Sequence, residues 1–407
     1  VIIIIPRFKP YFNIDEIISI INQNEYTVEE FEKKFASTVD SKYAVSFPSG
    51  RSGLFSLLKS LDISSSEIII PSYTCIVIPP AILASKNIPQ FIDVSLDNYN
   101  MKIDDVSSVI SKKTRAIIPT YMYGYPLDVK KLRNTVGEDI YIIEDAAQAI
   151  LTKDVGNFGD AVFYSFNIEK QIFTFGGGMV TTNNEGIYEK LINFRKNNFS
   201  KTFSRTQLEK TFLLLNTPAI FSDFVFRLVC ALYEAHGSLI WRTKNWDLNE
   251  SNLPVEDVYL SSDFFEMYSK VQAAVGIIQL NKIKRNIESR IQIAKFYDRN
   301  LKDVKDIVLS PIKNGASYSH YTLRTRNRRK FEQFMKTRGI QINKVFDYSL
   351  PHLPVYNKYV KTGEQFPNSL IAGENNVNLP IHPQLLRVKH QLDYIIKSII
   401  EYGERSV

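Results

Sequence analysis

Cysteine is nearly missing. Cys75 and Cys230 are the two in 407 residues, too few for a disulfide framework and in keeping with a reducing cytoplasm. The five histidines, His236, His320, His352, His382 and His390, are scattered without ligand-like spacing, so no zinc or iron–sulfur site is expected. No G-x-G-x-x-G follows the first strand, which argues against a nicotinamide enzyme. No G-x-S-x-G elbow is found either, which argues against an α/β-hydrolase. Long apolar runs are also lacking. Val1-Ile2-Ile3-Ile4-Ile5 stops at Pro6-Arg7, too short for a signal core or a membrane span. The chain has no repeats, no low-complexity linker and no long basic block. Its net charge of +7 comes from Lys and Arg mixed with acids along helices, so nucleic acid is not an expected partner. A mild positive bias suits a diphosphate-bearing substrate or an anionic membrane surface equally.

What remains is an ordinary globular composition, 44% apolar and 23% charged, on a chain long enough for two domains. Short apolar runs alternate with helical patterns, which predicts an α/β fold with a mostly parallel sheet covered on both faces. The stretch Ile140 to Gly178 organises the rest. Ile140-Tyr141-Ile142-Ile143 reads as a buried strand, followed by Glu144-Asp145-Ala146-Ala147-Gln148. Gly159-Asp160 precedes a second strand ending in Ser165-Phe166, Lys170 sits five residues beyond Ser165, and Gly176-Gly177-Gly178 closes the stretch.

Each polar residue has a place in one chemistry. A lysine near a strand end can form a Schiff base with an aldehyde, such as that of pyridoxal phosphate. The ring nitrogen of that cofactor needs a carboxylate partner. Asp145, at the carboxyl end of a buried strand, sits where open α/β sheets bind ligands. Ser165 offers a hydroxyl to a phosphate, and the glycines permit close backbone approach. Taken singly, Lys170 reads as a surface lysine and Asp145 as a helix cap; in this order they are far more specific.

The order E-D-A-A-Q, G-D, S-F-x-x-x-K and a glycine cluster resembles the nucleotide-sugar aminotransferases of the DegT/StrS type, within the fold-type I pyridoxal-phosphate enzymes. The resemblance covers nearly the whole chain. It implies a large domain with a seven-stranded sheet, residues 1–264 with a helical insertion at about 200–250, and a smaller C-terminal α/β domain, 265–407. It implies Lys170 as the catalytic residue holding pyridoxal 5'-phosphate. Asp145 would face the ring nitrogen, Gln148 the ring or its hydroxyl, and Ser165 the phosphate. The turn Ser49-Gly50-Arg51-Ser52-Gly53 leads into a helix whose free N–H groups suit an anion. It matches the family's phosphate-holding S-G-T turn, with Arg51 replacing the threonine, so Gly50, Arg51 and Ser52 join the expected cofactor contacts.

Other departures lie nearby. Cys75 follows Pro71-Ser72-Tyr73-Thr74 where the family has a ring-stacking aromatic, and Tyr73 is an alternative stacking residue. Tyr121 opens Tyr121-Met122-Tyr123-Gly124 where H-L-Y-G is usual. Phe264 replaces an asparagine that reaches the partner subunit's cofactor phosphate. The joining-helix pattern is carried by Met267, Ala273, Ala274, Gly276, Gln279 and Leu280, one residue out of register at the alanines. It predicts one helix from Met267 to about Leu301. Tyr348-Ser349-Leu350-Pro351-His352 and Leu379-Pro380-Ile381-His382-Pro383 match later signatures. Helices are expected at 13–23, at 28–39 behind a Thr27/Glu30 capping box, and from Asn183 to Phe194. The apolar stripe Phe221, Phe224, Val225, Leu228, Val229, Leu232 reads as a core or dimer-interface helix, a substrate-covering lid, or a membrane-surface contact through 211–233. The first is preferred.

The resemblance implies an aminotransferase carrying nitrogen from L-glutamate to a keto-sugar, nucleotide-linked, for amino-sugar or surface-polysaccharide synthesis, working as a homodimer. Related dehydratases carry histidine in place of the lysine, and Lys170 argues against that branch. The other reading is a cofactor-binding protein with little catalysis and a regulatory or scaffolding role.

Overall fold

The structure is a computed structural model and describes residues 5–200, 204–222, 225, 262–342 and 344–405. Seven strands form the main sheet: β1 Tyr43–Phe47, β2 Glu67–Pro71, β3 Ile88–Ile92, β4 Thr114–Ile117, β5 Tyr141–Asp145, β6 Ala161–Ser165 and β7 Gly178–Thr182. Their spatial order is β1-β7-β6-β5-β4-β2-β3. β7 runs antiparallel to both its neighbours, and the remaining pairs are parallel. The strands are four or five residues long, rich in Ile, Val, Phe and Ala and mostly buried, as a sheet covered on both faces requires.

The reversal at β7 decides where Lys170 lies. An antiparallel neighbour needs no crossover helix. The residues between β6 and β7, Lys170 among them, therefore stay at the carboxyl end of β6 rather than crossing a face of the sheet. The Phe166 amide donates to Gly177 O at 2.9 Å and the Thr174 amide to Phe166 O at 3.1 Å, tying that loop back on itself. Gly176 and Gly177 sit at φ 102° and 104°, in the region that favours glycine.

Helices α1 (Ile14–Ile21) and α2 (Val28–Thr38) open the chain, and the Thr27/Glu30 capping box is present. Helix α3 (Gly50–Ser60) follows β1 and buries Leu54, Leu57, Leu58 and Leu61 at its end. The helix after β7 spans Glu185–Asn198, two residues later at its start than the sequence suggests and longer at its end. Of the insertion, the helices Ser204–Leu215 and Thr217–Ile220 are described. The stripe beginning at Phe221 lies almost wholly outside the described residues.

One expectation is corrected. Met267 to Leu301 is not one helix but two, Lys270–Asn281 and Ile283–Leu301, broken at Lys282 with φ −116° and ψ 6°. The break brings the Lys282 ammonium to Glu16, which is fully buried, and over the Tyr11 ring at 5.0 Å. A buried carboxylate needs such a partner, and local periodicity carries no trace of one 266 positions away.

The later part of the chain forms a small antiparallel sheet, β10-β9-β8, from β8 Ile307–Leu309, β9 Tyr321–Thr325 and β10 Asn376–Leu379. Ile5 bridges to Ile340 in this part, with the Ile5 amide donating to Gly339 O at 2.8 Å. One apolar cluster joins Tyr73, Tyr99 and Tyr123 of the first part to Tyr297, Tyr321 and Leu379 of the second, so the two sheets share a core.

Candidate active site

The carboxyl ends of β2, β4, β5 and β6 and the start of α3 meet at one edge, the place where sheets of this kind receive ligands. Asp145 is the last residue of β5 and 3% exposed. Its Oδ1 accepts the Ala147 amide at 3.0 Å, and its Oδ2 accepts Thr120 Oγ1 at 3.3 Å. Thr120 bridges onward to Thr74 Oγ1 at 3.1 Å. Burial pushes the Asp145 carboxyl up to about 6, while the Ala147 amide, the Lys170 charge and Thr120 pull the other way. The acid is thus held from three sides and is sensitive to a nearby positive charge.

Lys170 is half-buried in the β6–β7 loop, and its amide donates to Asn167 O at 3.0 Å. Cys75, at the turn after β2, is partly buried. Burial pushes its thiol up, and Lys170, Asp145 and Arg51 all act on it electrostatically. Those four sequence-expected residues therefore share one neighbourhood. α3 comes in tightly beside them. A Cβ on Gly50 would lie 2.9 Å from Tyr164 O and 3.3 Å from Ser165 Cβ, so only glycine lets the first turn of α3 press on the end of β6. Ser49 caps α3, its Oγ accepting the Ser52 amide at 3.0 Å and lying 2.8 Å from Ser52 Oγ. Ser52 is fully buried with both groups turned to the cap. Gln148 is buried, its Oε1 accepting the Tyr123 amide at 3.2 Å.

The structure shows what two of the departures, Tyr121 and Phe264, contact, and where Tyr73 lies. Tyr121 hydroxyl donates to Glu144 Oε2 at 2.7 Å, on the other face of β5 from Asp145. Phe264 lies under Arg51, the guanidinium carbon 5.3 Å from its ring centre. Tyr73 is no substitute stacking residue. It is fully buried in the core between the sheets, its hydroxyl 2.9 Å from Tyr123 hydroxyl and donating to Phe346 O at 3.1 Å.

Other groups are not legible in the sequence. Glu169, immediately before Lys170, contacts Arg7 and lies 3.9 Å from His320 Nε2. Burial works against its charge, yet Arg7 and His320 hold it below the usual carboxylate range. His320 itself is lowered to about 4 by burial, which leaves it neutral near pH 7. Tyr348 accepts the Ile76 amide at 2.8 Å, which brings it beside Cys75. Tyr348 belongs to a motif visible in the sequence, but its place at the turn after β2 depends on chain contacts over 272 positions. Among the described residues no group of His, Cys, Asp or Glu could hold a metal ion, and no helix is long and apolar enough to cross a membrane.

With this arrangement in hand, comparison with known proteins is decisive. Residues 16–216 and 265–400 match the DegT/DnrJ/EryC1/StrS aminotransferase family. The chain belongs to that family. It is 26% identical over 385 residues to a GDP-perosamine synthase of Escherichia coli O157:H7, covering 92% of this chain and 90% of that one. It is 24% identical to a dTDP-3-amino-3,6-dideoxy-alpha-D-galactopyranose transaminase of Aneurinibacillus thermoaerophilus, covering 92% and 90%. Among solved structures, a GDP-4-keto-6-deoxymannose-3-dehydratase with a trapped PLP-glutamate geminal diamine superposes with a TM-score of 0.74 at 18% identity. That match covers 97% of this chain and 99% of that one, and it shows the shared fold. Members of the DegT/DnrJ/EryC1/StrS family are pyridoxal-phosphate enzymes acting on sugars.

Proposed function

We propose that this aminotransferase moves the amino group of L-glutamate to the keto group of a nucleotide-linked sugar. The observation that carries the reading is the convergence of Asp145, Lys170 and the first turn of α3 at one sheet edge. These residues fit pyridoxal phosphate. Lys170 is the amine for its aldehyde. Asp145, buried and held by Ala147 and Thr120, is the acid for its ring nitrogen. The turn Gly50 to Ser52, with Ser165 beside it, is the cradle for its phosphate. Cys75, within the electrostatic reach of Lys170 and Asp145, and Gln148 are the residues that would lie beside the ring.

When bound, the cofactor supplies the electron sink that stabilises charge at the donor's α carbon. The protein's part is binding and proton handling. Asp145 would keep a proton on the ring nitrogen. With the cofactor bound, Lys170 Nζ would serve as the general base and acid that takes up and returns the donor's α proton. His320, neutral and buried, adds no charge beside Lys170, while Glu169 is tied to Arg7 and takes no part in the proton transfer.

The enzyme is read as a two-fold homodimer of the cytoplasm. Ile14, Ile18 and Ile21 of α1 and Leu208, Phe212 and Leu215 of the helix packed beside it are exposed, and adjacent apolar stripes of this kind call for cover. Sedimentation of the active enzyme as a stable monomer would contradict the dimer. For the reaction, glutamate added to purified protein should shift the visible chromophore, and the correct keto-sugar should restore it. A chromophore inert to glutamate overturns the assignment of donor or of turnover.

A further inference from the structure

Lys170 stands in the loop between β6 and β7, whose base is closed by the bonds at Phe166. Beyond that base the Lys170 amide reaches Asn167 O at 3.0 Å, a bond local to the turn. A lysine side chain is long and free in rotation, and a loop adds freedom of its own. Chemistry at Nζ needs a geometry held to about 0.5 Å. The two residues that flank Lys170 are where the loop is fastened.

Gln171, one residue on, is buried. Its Oε1 accepts the Ile150 amide at 3.1 Å, and its Nε2 donates to Ser317 O at 3.0 Å. Its carbonyl accepts Asn286 Nδ2 at 2.9 Å, from the helix Ile283–Leu301. Glu169, one residue back, forms a salt bridge with the buried Arg7, and His320 Nε2 lies 3.9 Å from its carboxylate. Arg7 is anchored in turn. Its amide donates to Gln341 Oε1 at 3.1 Å, and His382 Nε2 lies 3.2 Å from Pro6 O. Consecutive Cα atoms are ~3.8 Å apart, so fixing residues 169 and 171 leaves the backbone of Lys170 little play.

We propose that Glu169 and Gln171 are the positioning residues of Lys170, Glu169 through Arg7 and Gln171 through Ile150, Ser317 and Asn286. The inference rests on the assignment of Lys170 as the Schiff-base lysine made above. It also gives the Arg7–Glu169 pair a purpose, since a buried ion pair adds little stability over neutral residues of the same shape.

The test reads the placement of the amine apart from turnover. Protein stripped of cofactor is treated with pyridoxal and cyanoborohydride, and labelling rates are read lysine by lysine by mass spectrometry. Pyridoxal lacks the phosphate, so the phosphate cradle does not enter. Lys397, exposed on the last helix, is the internal standard. Relative to Lys397, labelling of Lys170 should slow about 10- to 100-fold in Glu169→Gln and in Gln171→Ala, the range for a reacting group displaced by up to about 1 Å. Arg7→Met combined with Glu169→Gln removes both charges and leaves neither unpaired. It should label Lys170 as slowly as Glu169→Gln alone, because the two residues act as one unit. If Glu169→Gln does not fold, the double variant gives the reading. Variants that melt earlier yet label Lys170 at the parent's relative rate overturn the inference and leave Lys170 as assigned. If Lys170 of the unmodified protein labels no faster than Lys397, the Schiff-base assignment itself falls.

Discussion

The end of β5 carries two buried carboxylates, one on each face of the sheet. On one face Glu144 accepts the Gly156 and Gly159 amides, both at 2.9 Å, and the Tyr121 hydroxyl at 2.7 Å. On the other, Asp145 has the Ala147 amide and Thr120 and otherwise meets Lys170 and Cys75. Burial raises both, Glu144 to about 7 and Asp145 to about 6. A raised carboxyl is a common mark of a functional site, yet here it does not tell the two apart. Their partners do. Glu144 is enclosed by donors from its own chain, and even the space behind it is filled: a Cβ on Gly159 would lie 2.4 Å from its Oε1. Asp145 has fewer donors from its own chain and lies within the electrostatic reach of Lys170, at the carboxyl edge of the sheet.

The contrast can be broken by experiment, beginning with the greatest effect. Lys170→Ala should abolish transamination, because no other amine takes its place, while circular dichroism and melting temperature stay near the parent's. Asp145→Asn should lower kcat by at least about 100-fold, as for loss of a group that stabilises developing charge, with little change in melting temperature. Glu144→Gln should do the reverse. It sets an amide N–H₂ against backbone donors and costs about 1–3 kcal/mol of stability, with kcat per folded molecule retained. Denaturant titration and steady-state rates on the same samples would separate the two. Loss of rate in Glu144→Gln without loss of stability would erase the distinction.

The pH dependence of stability sharpens it. A carboxyl whose folded pKa lies above its unfolded value binds more protons folded than unfolded, so stability falls as pH rises. For Glu144 that fall runs from about 4.5 to about 7, and for Asp145 from about 3.8 to about 6. His320, lowered by burial to about 4, contributes the opposite slope below about pH 6.5. The signature is therefore read as a difference: Glu144→Gln relative to the parent should lack a stability loss between about pH 4.5 and about 7. Tyr121→Phe should give the smallest change, about 1 kcal/mol for one lost hydrogen bond, seen in melting and not in rate.

The reach of the sequence depends on the range of the forces involved. β1 and the Thr27/Glu30 capping box are local matters of alternation and spacing, and they are found where expected. The closeness of Asp145 and Lys170 is legible because 25 residues and two short strands bring both to the same edge. The positions of Lys282, Tyr73 and Arg7 are not. Each is placed by a partner far along the chain, Glu16, Phe346 and Glu169 respectively, and such a contact imprints no period on its neighbours. Arg51 and Phe264 lie between these cases. Each stands out in the sequence as a departure, but their meeting requires the fold.

The central claim is that Lys170 carries the cofactor opposite Asp145. The most direct test is to reduce the purified, coloured protein with borohydride, digest it, and locate the added mass by mass spectrometry. Pyridoxyl phosphate should be fixed on the peptide containing Lys170, and none should be found in Lys170→Ala. A label on a different lysine, or no label on a coloured protein, would contradict the claim.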